Sequence, residues 1–268
     1  MSGAPARSDD RLRGNRIWPV PSPRGGVLQK LYAPHSSGPG YWARLALERL
    51  ARRKTPTTVA ARHATERELL RLWRAAGCDV PAELSTELPQ LAHPRVNVIE
   101  HVPGKLLGRL LADETLPRVE RDALLARFAA AWGRRHALAV ERRDARLVQE
   151  HGTFLHVIVS GERLVTIDLE QAYRPRADVV PLVAREIASY VRALAKGASE
   201  ERLRADLRAL VAAYPRRDLL DAAVREHLAN PNPVRRLLWA LDRRLRRDRR
   251  RTLGKYGSLE LLRDVLAA

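Results

Sequence analysis

The chain has 268 residues, 45% hydrophobic and 30% charged, which excludes a disordered chain and leaves room for one large unit or two smaller lobes around an apolar core. Its net charge is +18, and 44 of its 49 basic residues are arginine. The single cysteine, Cys78, excludes an intrachain disulfide and a cysteine-based zinc site, and no run of about 18 apolar residues is present to cross a membrane.

The first 15 residues lack an apolar signal core and read as a flexible leader, which fits a cytoplasmic protein. Residues 16–20 and 26–32 then read as two short strands, with Pro21, Pro23 and Gly25-Gly26 forming the turn between them. Lys30 lies inside the second, among Val27, Leu28, Leu31 and Tyr32. Alone, such a lysine reads as an edge-strand lysine with its amine in water. Helical spacing follows over residues 41–53 and, more strongly, 58–76, where Leu69, Leu70, Leu72 and Trp73 recur and Gly77 stops the run. Residues 97–102 (NVIEHV) read as a third strand closed by Pro103-Gly104, and a helix begins at Leu106. A long helix over 119–140 carries an apolar face of Leu124, Leu125, Phe128, Trp132 and Leu138, and His136 on it reads as a structural histidine.

Residues 151–170, HGTFLHVIVSGERLVTIDLE, carry the most chemistry. They read as a loop opened by His151-Gly152, a strand over Val157–Val159, a turn at Ser160-Gly161, and a strand over Leu164–Ile167 ending in Asp168-Leu169-Glu170. A carboxylate at the end of an apolar strand, facing a loop returned by a hairpin, suits a site that holds Mg²⁺. Helices are expected over 182–196, 200–213, 217–228 and 234–250.

This order resembles the protein-kinase-like phosphotransferases, closest to the lipopolysaccharide core (Kdo/heptose) kinase group, over roughly residues 16–195. The resemblance implies an α+β, two-lobed fold. Its strand-rich N-lobe would span 16–102. A larger, mostly helical C-lobe would span 103–268, with the hairpin 151–170 and basic C-terminal helices. It further implies ATP and Mg²⁺ as cofactors. Lys30 would meet the nucleotide phosphates, Glu66 (or Glu68) would pair with that lysine, Glu100 would act at the adenine-facing hinge through its backbone, and Asp168 would bind the metal. The reaction implied is transfer of the ATP γ-phosphate to a hydroxyl of a lipopolysaccharide or other glycan.

The sequence departs from that pattern in its loops. Thr153 stands where the family has its catalytic aspartate, and His156 where it has a metal-binding asparagine. A threonine hydroxyl is no general base near neutral pH, whereas a neutral imidazole binds metal or accepts a proton. His156 is therefore a candidate metal ligand, and His151 and His156 are candidate bases in a rearranged site. Glu170 replaces the usual glycine and is expected to salt-bridge to an arginine, and no Gly-x-Gly-x-x-Gly loop is present; Arg24 is the one phosphate-facing candidate in the first turn. The alternative is a kinase-fold pseudoenzyme that binds a partner or nucleotide without turnover.

Residues 234–251, VRRLLWALDRRLRRDRRR, combine a leucine face with dense arginine and a tryptophan. A basic amphipathic helix of this kind suits peripheral docking on an anionic membrane surface or a lipid-linked glycan. Nucleic acid is the rival partner, and a basic nucleic-acid-binding protein the third functional reading. Aromatic residues make up only 5% of the chain, and no reader motif is present.

Overall fold

The computed structural model describes residues 15–22, 26–33, 54–228 and 257–268. The expected helix over 41–53, Arg24, most of the leader and the basic segment 234–251 lie outside the described residues. What is described is a mixed α/β chain: a small strand-rich N-terminal region, then a helical remainder interrupted by one hairpin.

Strands β1 (Arg16–Val20), β2 (Val27–Leu31) and β3 (Val96–Glu100) form an antiparallel sheet in that order, with Lys30 opposite Asn97. Strand β3 alternates little in burial because both faces are covered. Helix α1 (Val59–Ala75) starts at Thr58, whose hydroxyl accepts from the Ala61 amide at 3.3 Å. Its buried residues, Arg62, Thr65, Glu66, Leu69, Leu70 and Trp73, recur at helical spacing along one stripe. The C-terminal half of that stripe is apolar and anchors the helix in the main core, where the Trp73 indole donates to Arg146 O at 2.9 Å. The same rotation presents Arg62 and Glu66 to β2.

Beyond β3, the two-residue strand β4 (Lys105–Leu106) pairs with β5 (Val157–Ser160), which pairs in turn with β6 (Arg163–Thr166). Gly104 has φ +154°, and a Cβ there would lie 2.1 Å from Val159 O, so only glycine lets these backbones approach. Helices α2 (Leu107–Ala112), α3 (Arg118–Glu141), α4 (Val180–Ala195), α5 (Glu200–Ala213), α6 (Arg217–Leu228) and α7 (Gly257–Ala267) build the remainder. Helix α4 packs on α6 and α7, and α3 on α5. The expected helices over 200–213 and 217–228 form with those bounds; α7 was not foreseen as a separate element. Among the described residues no helix is long and apolar enough to cross a membrane.

A buried polar network locks α4 beneath the loop that enters the hairpin. The Glu186 carboxylate on α4 accepts from Trp132 Nε1 at 3.0 Å, from the Gln149 amide at 2.8 Å, and from Arg135. His136 Nε2 lies 3.2 Å from it, with Tyr214 OH 2.7 Å from Nδ1. Burial favours the neutral imidazole and lowers the His136 pKa, while Arg135 and His136 outweigh burial and keep Glu186 ionised. His136 thus has the structural role expected of it. Two further α4 residues reach the same loop: Ser189 Oγ donates to Gly152 O at 3.0 Å, and Tyr190 OH to Gln149 Oε1 at 2.9 Å.

Candidate functional site

Three separate elements converge on one ammonium group. Strand β2 supplies Lys30, which is 3% exposed. Helix α1 supplies Glu66, with Oε1 3.0 Å from Lys30 Nζ. The segment leaving β6 supplies Asp168, with Oδ1 3.0 Å from Nζ, and Glu170, with Oε1 2.6 Å from it. Glu68, the other helix glutamate weighed for this pairing, instead accepts from Arg146 at 2.8 Å. Asp168 has φ +64°, a left-handed conformation that aspartate adopts more readily than most side chains. The two residues before it are fixed by backbone bonds, Thr166 N to Asp79 O and Ile167 N to His156 O, each at 2.9 Å.

Glu170 links two cations. Besides Lys30 it accepts from Arg62 Nε at 2.7 Å and from Asn15 Nδ2. Arg62 is fully buried, and it also donates to Ala33 O at 2.9 Å and Asn15 Oδ1 at 2.5 Å. The departure Asp-Leu-Glu therefore has a concrete effect. Glu170 ties the hairpin exit to α1 one turn before Glu66. The salt bridge from Glu170 to an arginine was expected from sequence; Arg62 as that arginine, and Asn15, were not singled out. The signal was an arginine four residues before Glu66 on the buried stripe.

The charges do not balance evenly. Three carboxylates whose oxygens lie within 4.8 Å of one another surround one ammonium. Burial disfavours the Lys30 charge, but Glu66, Asp168 and Glu170 together outweigh it and raise its pKa. Burial opposes ionisation of Asp168 too, yet Lys30 holds its carboxyl at about 2, with a further pull from His156 when that ring is protonated. Glu66 is the carboxylate left least supported. Burial pushes it up to about 7 against the pull of Lys30, and its Oε2 has no hydrogen-bond partner among the described residues.

The loop residues divide. His156 Nδ1 lies 3.0 Å from the His151 carbonyl, which can only accept, so Nδ1 carries a proton. The other nitrogen, Nε2, lies 3.4 Å from Asp168 Oδ2. In the neutral ring, that places an imidazole lone pair beside a carboxylate oxygen, a pair of donors suited to a divalent cation. His151 does not join them: its imidazole pairs with Glu150, which Lys54 meets at 2.5 Å, and only its carbonyl reaches the site. The Thr153 hydroxyl accepts from the Leu155 amide at 3.4 Å and caps the 3-10 turn Phe154–His156. Of the two candidate bases, only His156 borders the cleft.

That cleft has a volume of about 320 Å³, within the range of small-molecule sites. Ile17, Leu28, Ile99 and Ile158 give it apolar walls, and Lys30, Glu66, Asp168 and His156 lie at its polar end. Glu100 borders it as well, but its amide donates to Ala82 O at 2.9 Å, and its carboxylate accepts from the Ala82 amide and Arg163. The neighbouring His101 amide is committed to Gly26 O. Val102, two residues beyond Glu100, also lines the cleft.

No family model matches the chain, and no curated protein matches it.

The site residues fit a divalent cation. The donor set of one carboxylate and one imidazole, the orphaned Glu66 Oε2, and the excess of three carboxylates over the two cations Lys30 and Arg62 favour added positive charge. A mixed N,O pair suits Mn²⁺ better than Mg²⁺, which prefers oxygen alone.

Proposed function

We propose that this chain has a two-lobed, protein-kinase-like fold and is an ATP-dependent phosphotransferase acting on a hydroxyl acceptor, a lipopolysaccharide or other glycan by its resemblance. The observation that carries the reading is Lys30 Nζ held at 3.0 Å from both Glu66 on α1 and Asp168 after β6, at the polar end of an apolar cleft. Phosphoryl transfer asks the protein chiefly to position phosphates and neutralise their charge. Lys30 supplies fixed positive charge there, and Glu66 and Glu170 fix its position. The apolar walls suit a flat ring and exclude water from it. A divalent cation held by Asp168 and His156 would supply charge neutralisation at the phosphate oxygens. With Nδ1 committed to the His151 carbonyl, His156 has one nitrogen left, so it serves either as ligand or as base; its place beside Asp168 favours ligand.

The experiment is ADP release and thermal stabilisation with ATP and Mn²⁺ or Mg²⁺, using lipopolysaccharide core oligosaccharide as acceptor. The expected result is stabilisation by the nucleotide–metal pair that Asp168→Asn and Lys30→Met abolish, with acceptor-dependent turnover faster in Mn²⁺. Absence of stabilisation, or stabilisation unchanged by both substitutions, overturns the reading.

One observation favours the second reading, a kinase-fold protein that binds nucleotide without turnover. The Thr153 hydroxyl is used as a turn cap, and among the described loop residues no carboxylate stands in its place. Nucleotide-dependent stabilisation without ADP release under any acceptor selects this second reading.

A further inference from the structure

A second cavity, of about 400 Å³, lies on the other side of the hairpin from Lys30. Its walls come from the end of α1 and the loop after it, one face of α3, the hairpin strands and Tyr190 of α4. Four rings, Trp73, Phe128, Trp132 and Tyr190, form its apolar part. The last three are already in mutual contact: Phe128 and Trp132 stack with centroids 5.3 Å apart, and Trp132 meets Tyr190 edge-on at 5.0 Å. Such a wall presents ring faces and edges to whatever enters.

The polar part is cationic. Arg135 borders the cavity, is 5% exposed, and lies with its guanidinium carbon 4.2 Å from the Trp73 ring centre. Its terminal nitrogen binds Glu186, but its Nε has no partner among the described residues. A buried guanidinium N–H without an acceptor costs stability unless something enters to accept from it. Arg134 lies beside it as an exposed lining residue. The one lining carboxylate, Asp79, is met by Arg163 Nε at 3.3 Å, and Glu186 opposes the Arg135 charge from behind, which leaves the Arg135 Nε hydrogen and the exposed Arg134 as the cavity's cationic donors.

We propose that this cavity is a binding site for a small aromatic carboxylate, its ring held among Trp73, Phe128 and Trp132 and its carboxylate accepting from Arg135 Nε and Arg134. This site does not depend on the phosphotransferase reading. It borders the same two elements that carry Glu66 and Asp168: Trp73 is seven residues beyond Glu66 on α1, and Thr166, another lining residue, is two residues before Asp168. An occupant therefore presses on both sides of the Lys30 cluster without entering the cleft.

Cys78 lines the cavity and is the chain's single cysteine, so its alkylation reports on this place alone. The full chain is treated with N-ethylmaleimide with and without 2-naphthoate, using neutral 2-naphthamide as the control, and modification is followed by mass spectrometry. The expected result is that 2-naphthoate protects Cys78, with an affinity about tenfold above that of the amide because one charged hydrogen bond separates them. Arg134→Ala weakens the acid and leaves the amide unchanged. Ala131→Trp fills the space from α3 and removes protection while the protein stays folded by circular dichroism. Asp168→Asn leaves protection intact, which separates this site from the cleft. Equal binding of acid and amide, no protection at millimolar 2-naphthoate, or protection that survives Ala131→Trp overturns the proposal.

Discussion

Glu66 and Asp168 share one ammonium partner but respond to pH in opposite senses. For Glu66 the folded value, about 7, lies above its ordinary 4.5, so the folded state holds a proton the unfolded chain releases. Its contribution is complete below pH 4.5 and is lost as pH rises through about 7. For Asp168 the folded value, about 2, lies below the ordinary 3.8, so its contribution is present above pH 3.8 and lost only as pH falls through about 2. Glu66 should therefore tilt the melting temperature downward between pH 5 and 7.5, against the upward tilt that the lowered pKa values of His136 and His63 give, and Glu66→Gln should abolish that downward component. An equal slope in the variant would remove Glu66 as its cause. Glu170 makes a second residue-scale prediction. Replacing it alone by Met strands the fully buried Arg62 without its carboxylate, and denaturant unfolding should show a loss of about 3–5 kcal/mol. Adding Arg62→Met to that change should recover part of the loss, since removing both charges leaves none unpaired.

Helix α4 is the element on which the loop rests. Glu186, Ser189 and Tyr190 share a face and hold Gln149 and Gly152 from below. Gly152 itself has no room for a side chain, because a Cβ would lie 2.4 Å from the Tyr190 ring. Glu186→Ala leaves Arg135 buried without its carboxylate, so about 3–5 kcal/mol of stability should be lost in urea unfolding. Elements of this length were legible in the sequence because their apolar stripes repeat over several turns: α1, α3, α5 and α6 fall within two residues of expectation. Lys30 and Glu66 were legible only through the resemblance: alone, Lys30 reads as an edge-strand lysine, and Glu66 gains weight only from its pairing with Lys30. Strand β4, two residues long, has no pattern to show and exists only because Val159 and Ile158 lie opposite it. The commitment of His151 to Glu150, and of the Thr153 hydroxyl to a turn, likewise depends on tertiary neighbours that no local spacing reveals.

At the scale of the whole chain, one apolar core runs from α1 and Ile99 through all the long helices, while Val27, Leu88 and Val98 form a small separate cluster under the sheet. Strand β1 lies outside both: Arg16, Ile17 and Pro19 are exposed, and among the described residues it pairs only with β2. Hydrogen exchange should therefore release the amides of β1 well before those of β3 and α4, and the order should persist in Asp168→Asn. Simultaneous exchange of β1 and α4 would mean that the sheet and the helices open as one unit. Expecting strands first and helices afterwards required only the change of sequence period along the chain; which strand would be the weakly held edge required the pairing itself. Asn15, the residue that precedes β1, bonds both Glu170 and Arg62. An affinity tag fused ahead of residue 15, or cleavage close to it, is thus no neutral handling step: it pulls on the ion pairs around Lys30, and measurements on tagged and untagged protein should be compared before either is taken as the activity of the chain.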